Sequence, residues 1–77
     1  MRSQYFSRQE AEAKIGKRIR NLVPLPGIER GTDGVVIGAD FSGKGYRVAV
    51  QWCTPRGSRP AVELFYRDEY YAFFEEN

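Results

Sequence analysis

Histidine is absent from this 77-residue chain, and cysteine occurs once, at Cys53. The lone cysteine excludes an internal disulfide. The two scarcities together exclude the usual zinc sets, which draw on several Cys or His ligands. They also exclude His-dependent nucleophilic triads and leave Cys53 without the base that commonly activates a thiol. Cys53 therefore reads as a small residue at a strand end. Long apolar runs are missing as well. Nothing approaches the roughly 20 apolar residues that a membrane-spanning helix needs. The opening "MRSQYFSRQE" has no apolar stretch of the secretory-signal kind. The expectation is a cytoplasmic protein with no metal, no cofactor and no membrane contact.

A large net charge is missing too: the formal +2 does not announce nucleic-acid binding. Its distribution says more. Residues 1–30 carry seven basic and three acidic side chains, residues 31–60 four and two, residues 61–77 one and five. A basic front and an acidic tail either attract each other in the fold or form two opposed surfaces.

What the chain does have is aromatic rings: five Phe, five Tyr and one Trp, 14% of its residues. A domain of this length buries only about 60% of its unfolded surface, so large rings are what can build its core. The expected organisation is a single domain over 1–77.

"SRQE" at 7–10 is a capping box, in which Ser7 and Glu10 satisfy each other's backbone N–H groups. The helix it starts, "RQEAEAKI", stops at Gly16, with Phe6, Ala11 and Ile15 as its anchors. Residues 1–16 thus read as a helical appendage. "KRIRNLV" at 17–23 reads as a strand with Ile19 inward and Arg18 and Arg20 outward. The prolines and glycines of "PLPGIERGTDG" at 24–34 break regular structure. "VVIGAD" at 35–40 is a second strand, with Gly38 marking a bulge or bend. After the turn "FSGKG", the strand "YRVAVQW" places Tyr46, Val48, Val50 and Trp52 on one face. A loop at 53–60 leads to "AVELF" at 61–65, read with Val62 and Leu64 inward and Glu63 outward. In "YRDEYYAFFEEN" the period changes. Phe65, Tyr70, Phe73 and Phe74 fit a helical stripe, so 66–77 is expected to close the molecule as a short helix.

The glycine pairs invite a phosphate-loop reading, which fails on context. Both "GTDG" and "SGKG" lead into strands, whereas a phosphate loop leads into a helix N-terminus. The layout "IGKRIRNL … ERGTDGVVIGAD", with Gly31, Gly34, Val36 and Ile37, resembles a KOW-type motif. The order through "YRVAVQW" to "VELFYRDEYYAF" is similar to the photosystem I reaction-centre subunit IV type of barrel. Over residues 15–74 the resemblance implies a mainly β, SH3-like small barrel. Four to five antiparallel strands would be flanked by a short N-terminal and a short C-terminal helix. The "PLPG" and "PRGSRP" segments depart from the KOW pattern and argue against RNA or ribosome binding.

Three sets of residues are candidates for partner binding. Lys17, Arg18, Arg20 and Arg47 form an electrostatic footprint for phosphates or an acidic protein, or else a solvated face paired to Glu63 and the tail. Arg56 and Arg59 flank Gly57 in the Thr54–Pro60 loop and either grip carboxylates or phosphates or belong to a mobile connector. Phe41 at a hairpin tip, with Tyr5, Tyr66 and Tyr71, either covers the edges of the core or is left outside it as a protein-binding patch. An enzyme reading finds little support. "VQWC" at 50–53 lacks the Val-Gln-Ile-Tyr motif of the SH3-like type II dihydrofolate reductases. The paired carboxylates Asp68–Glu69 and Glu75–Glu76 are adjacent and diverge on a helix. The expectation is a small non-catalytic module or accessory subunit that binds another protein. The alternative is a KOW-like nucleic-acid binder using the basic strand and loop.

Overall fold

The computed structural model describes residues 4–53 and 61–76. The elements are α1 (Arg8–Lys14), β1 (Arg18–Asn21), β2 (Asp33–Phe41), β3 (Tyr46–Trp52), β4 (Ala61–Phe65), α2 (Arg67–Phe73) and β5 (Phe74–Glu76). The five strands form one antiparallel sheet in the order β4-β3-β2-β1-β5. The sheet is open, with β4 and β5 as its edges. The chain is thus mainly β with two short helices. The closed barrel expected from the sequence goes further than this open sheet.

Period-2 alternation makes the central hairpin. In β3, Val48, Val50 and Trp52 are buried while Arg47, Ala49 and Gln51 between them are only half-buried. The register passes from Val36↔Val50 to Gly38↔Ala49, so Ile37 is one residue too many on β2. This is the bulge expected at Gly38. It keeps Val36 and Ala39 on the inner face and turns Ile37 outward. The turn is closed by Ser42 N–H donating to the Gly45 carbonyl at 2.9 Å, with Gly43 in the left-handed region at φ +90°.

β4 presents the face opposite to the one expected. Phe65 is buried, and Val62 and Leu64 are exposed. The registers Val50↔Glu63 and Val48↔Phe65 put Glu63 and Phe65 on the inner side. The reason lies in the ring's partners. Phe65 meets Phe74 at 4.7 Å and Trp52 at 6.1 Å, both edge-to-face, and such aromatic pairs contribute beyond the area they bury. The tail differs as well. α2 ends at Phe73, and Phe74–Glu76 extends to pair with β1 in the register Asn21↔Phe74, Arg20↔Glu75, Ile19↔Glu76. Pairing satisfies backbone groups along the far edge of β1 that a continued helix would leave open. It also sends Phe74 inward against Trp52, Phe65 and Tyr70.

The N-terminal segment expected as an appendage contributes Phe6 and Ala11 to the core. Phe6 joins the sheet through two backbone hydrogen bonds with Tyr46, at 2.9 and 3.0 Å. Ile15, expected as an anchor, is exposed. The chain leaves the helix at Ile15 in extended conformation and turns at Gly16, before Ile15 can come round to the Ala11 face. Half of the expected capping box forms: Ser7 Oγ accepts from Glu10 N–H at 3.2 Å. The Glu10 carboxylate is engaged elsewhere, accepting from Arg67 Nε at 3.0 Å and from Tyr71 O–H at 2.7 Å. Beside it, Glu76 accepts from Lys14 Nζ at 2.6 Å and from Tyr70 O–H at 2.8 Å. Two carboxylates therefore clasp α1, α2 and β5 together. The Lys14–Glu76 pair joins the basic front to the acidic tail, while Arg67–Glu10 joins them in the opposite sense.

One buried polar residue shapes the proline-rich segment. Asn21 is fully buried, donates from Nδ2 to the Glu29 carbonyl at 3.3 Å, and exchanges backbone bonds with Gly31 and Thr32. Within that segment "LPGI" forms a turn, with Ile28 N–H donating to the Leu25 carbonyl at 2.9 Å and Gly27 at φ +77°. The turn delivers Ile28 to the core.

Candidate functional site

Side chains alternate across a sheet, so the face opposite the core can be read from the register. Its middle row runs Arg18–Val35–Gln51–Val62 across β1 to β4. The next row is Gly38–Ala49–Leu64, with Ile37 turned out beside it by the bulge. Ile37, Val62 and Leu64 are 45%, 50% and 41% exposed, although each is a large aliphatic side chain. They form the centre of an apolar band to which Val35 and Ala49 belong.

Charged groups close the band at both ends. At one end Arg47 Nη2 donates to Asp40 Oδ2 at 2.9 Å, and its guanidinium lies 5.8 Å from the Tyr66 ring centre. The hydrogen bond to Asp40 is the main reason that Arg47 holds its proton more tightly than usual, against a smaller opposing effect of burial. At the other end Arg20 Nε donates to Asp33 Oδ1 at 3.2 Å, and the register sets Glu75 opposite Arg20. Arg18 borders a cleft of about 360 Å³ lined by Asp33, Gly34, Val35 and Cys53. The face thus has an apolar centre between two rims of paired charge.

The structure divides the residues proposed from the sequence. Arg18, Arg20 and Arg47 stand on this face, as expected for outward positions of β1 and β3. Arg20 and Arg47 find their carboxylates in Asp33 and Asp40, not in Glu63 or the tail. Lys17 is exposed at the start of β1, where its charge helps to lower the pKa of Glu76. Phe41, 61% exposed, lies at the hairpin tip with its ring 5.2 Å from Tyr46. Tyr71 is exposed with it, whereas Tyr5 and Tyr66 are half-buried against each other at 5.2 Å. Arg56 and Arg59 lie outside the described residues. Ile37, Val62 and Leu64, the centre of the band, were not among the candidates read from the sequence. The bulge at Gly38 was the available signal for Ile37; for Val62 and Leu64, the large Phe65 was the clue.

Among the described residues no three His, Cys, Asp or Glu side chains converge as a metal site. No helix among them is long and apolar enough to cross a membrane. Compared with family models, with curated proteins and with solved structures, the chain matches none.

Proposed function

We propose that this chain is a non-catalytic protein-interaction module that binds through the outward face of β2, β3 and β4. The observation that carries this reading is the exposure of Ile37, Val62 and Leu64 on one face, between rims of paired charge. Apolar area of this kind is favourable to bury and is a mark of interaction sites. A nucleic-acid backbone would call for cations free of neighbouring carboxylates, and Arg20 and Arg47 each have one within 3.2 Å. The strand order, a meander whose last strand returns beside the first, supports the SH3-like reading of the fold, as does the Phe65–Phe74 contact between the two edge strands.

The experiment is capture of partners from the native cell extract by immobilised protein, quantified beside an Ile37→Asp variant. Ile37 is exposed, so the variant should keep its melting temperature within a few degrees. A discrete partner retained by the parent and lost by Ile37→Asp is the expected result. Partners indifferent to Ile37, or submicromolar binding of oligonucleotides, would overturn the reading.

A further inference from the structure

We propose that the free edge of β4 takes up an extended strand from a basic partner polypeptide, and that Glu63 selects it. This rests on the reading of β2–β4 as a protein-binding surface and names the mode and chemistry of the partner. Among the described residues β4 lies at the end of the sheet and is paired with β3 alone. Backbone polar groups of a strand point alternately to its two sides, so half of those on β4 face the open edge, where a further strand can pair.

Glu63 sits in the middle of this edge. Its register opposite Val50 places it on the inner side, where it is half-buried. Glu10, Asp40 and Glu69, the other half-buried carboxylates among the described residues, each accept a hydrogen bond from a guanidinium or a backbone N–H. Glu63 has no hydrogen-bond or cationic partner among the described residues. An inward carboxylate on an edge deters self-pairing. Antiparallel pairing of β4 with β4 about Glu63 would set two carboxylates face to face, which is unfavourable. A second copy of this chain is thereby disfavoured as the occupant. The same position suits a strand that carries Lys or Arg. Its cation would stand beside Glu63 in a partly desolvated place, where an ion pair gains more than on the open surface. Val62 and Leu64 lie on the opposite side of β4, exposed. Apolar residues immediately before and after the incoming cation would continue their band. The occupant is an extended segment of another protein with the pattern apolar–basic–apolar.

The test is a random linear-peptide display library panned in parallel on the protein and on a Glu63→Lys variant, each first shown by its melt to be folded. The parent should enrich segments with Lys or Arg between two apolar residues. The variant should enrich Asp or Glu at that place, and exchanging the peptides should weaken binding at least about tenfold. Amide shifts caused by the enriched peptide should centre on Val62–Phe65. Glu63→Gln should lose the preference for either sign. Enrichment without charge preference, identical peptides from both proteins, or no enrichment overturns the proposal. Peptides that ignore residue 63 but are lost on Ile37→Asp overturn it while leaving the outward face as the binding surface. A Glu63→Val variant that self-associates, with no basic peptides enriched by the parent, shows a guard against aggregation and also overturns it.

Discussion

Gly34 shows how tightly single residues are held in this sheet. A Cβ there would meet Trp52 Cε3 at 2.8 Å, Val50 Cγ1 at 3.0 Å and the Gln51 carbonyl at 3.2 Å. Trp52 is nearly fully buried and packed edge-to-face on Phe65 and Phe74, so it has little room to yield. Overpacking of a close-packed core typically costs about 1–3 kcal/mol. Gly34→Ala should lower the urea midpoint by a corresponding amount without changing the slope, and an unchanged midpoint would show that the indole can move aside. The glycine that resembles part of a KOW signature thus has a packing role of its own: it makes space for Trp52.

At the scale of elements, the clasp between α1, α2 and β5 depends on pH. Burial pushes the Glu10 carboxyl up. Hydrogen bonds from Tyr71 and Arg67, with the charges of Arg67 and Lys14, outweigh it and hold the group below its ordinary value. Glu76 is lowered by hydrogen bonds from Lys14 and Tyr70 and by the charges of Lys14 and Lys17, against burial. Both carboxylates are depressed in the folded state. Their stabilisation is therefore present above the unfolded value of about 4.3 and is lost as pH falls through the folded values. Amides of α1 should lose hydrogen-exchange protection in that acid range before those of β2 and β3, and Glu76→Gln should blunt the difference. Simultaneous loss throughout the sheet would show that α1 does not open independently. At the alkaline end burial pushes Lys14 down, yet Glu76 and Tyr71 hold it above its usual value, so its contribution fades only as pH rises through that raised value. β5 is the second element to test. Its three residues include Phe74, whose ring touches Trp52, Phe65, Tyr70 and Phe73. Truncating a buried Phe costs roughly 3–5 kcal/mol, against a total stability of about 5–15. Ending the chain at Phe73 should abolish the cooperative melt, and a sharp transition with dispersed amide resonances would contradict this.

Over the whole molecule, the arrangement of charge matters more than its sum. Arg8, Lys14, Arg20, Arg47 and Arg67 are each engaged by a carboxylate within 3.2 Å. A backbone contact made with such a cation must compete with its internal partner. Five free contacts to duplex DNA would give a slope of about −4.5 in the logarithm of affinity against that of salt. Fluorescence anisotropy with duplex and single-stranded oligonucleotides should show weak binding at physiological salt and a much shallower slope. Submicromolar affinity with the full slope would promote nucleic acid to first place among the partners.

Much of the architecture is local and could be read from residue order alone. The extent of β3, the bulge at Gly38, the inward Ile19 between two outward arginines and the Ser7 cap each depend on a few adjacent residues. So did the outward placement of Arg18, Arg20 and Arg47. Contacts between distant segments decided the rest. Glu10 was expected to cap its own helix, yet its carboxylate is taken by Arg67 and Tyr71, far along the chain. The tail has a helical period through Phe73, but the unpaired side of β1 draws Phe74–Glu76 into a strand. "AVELF" by itself favours Val62 and Leu64 inward, but the rings of Trp52 and Phe74 meeting Phe65 choose the other face. That choice turns Val62 and Leu64 outward and makes the candidate binding face. A period-2 pattern specifies that two faces differ, while which one is buried depends on what the other strands bring to it.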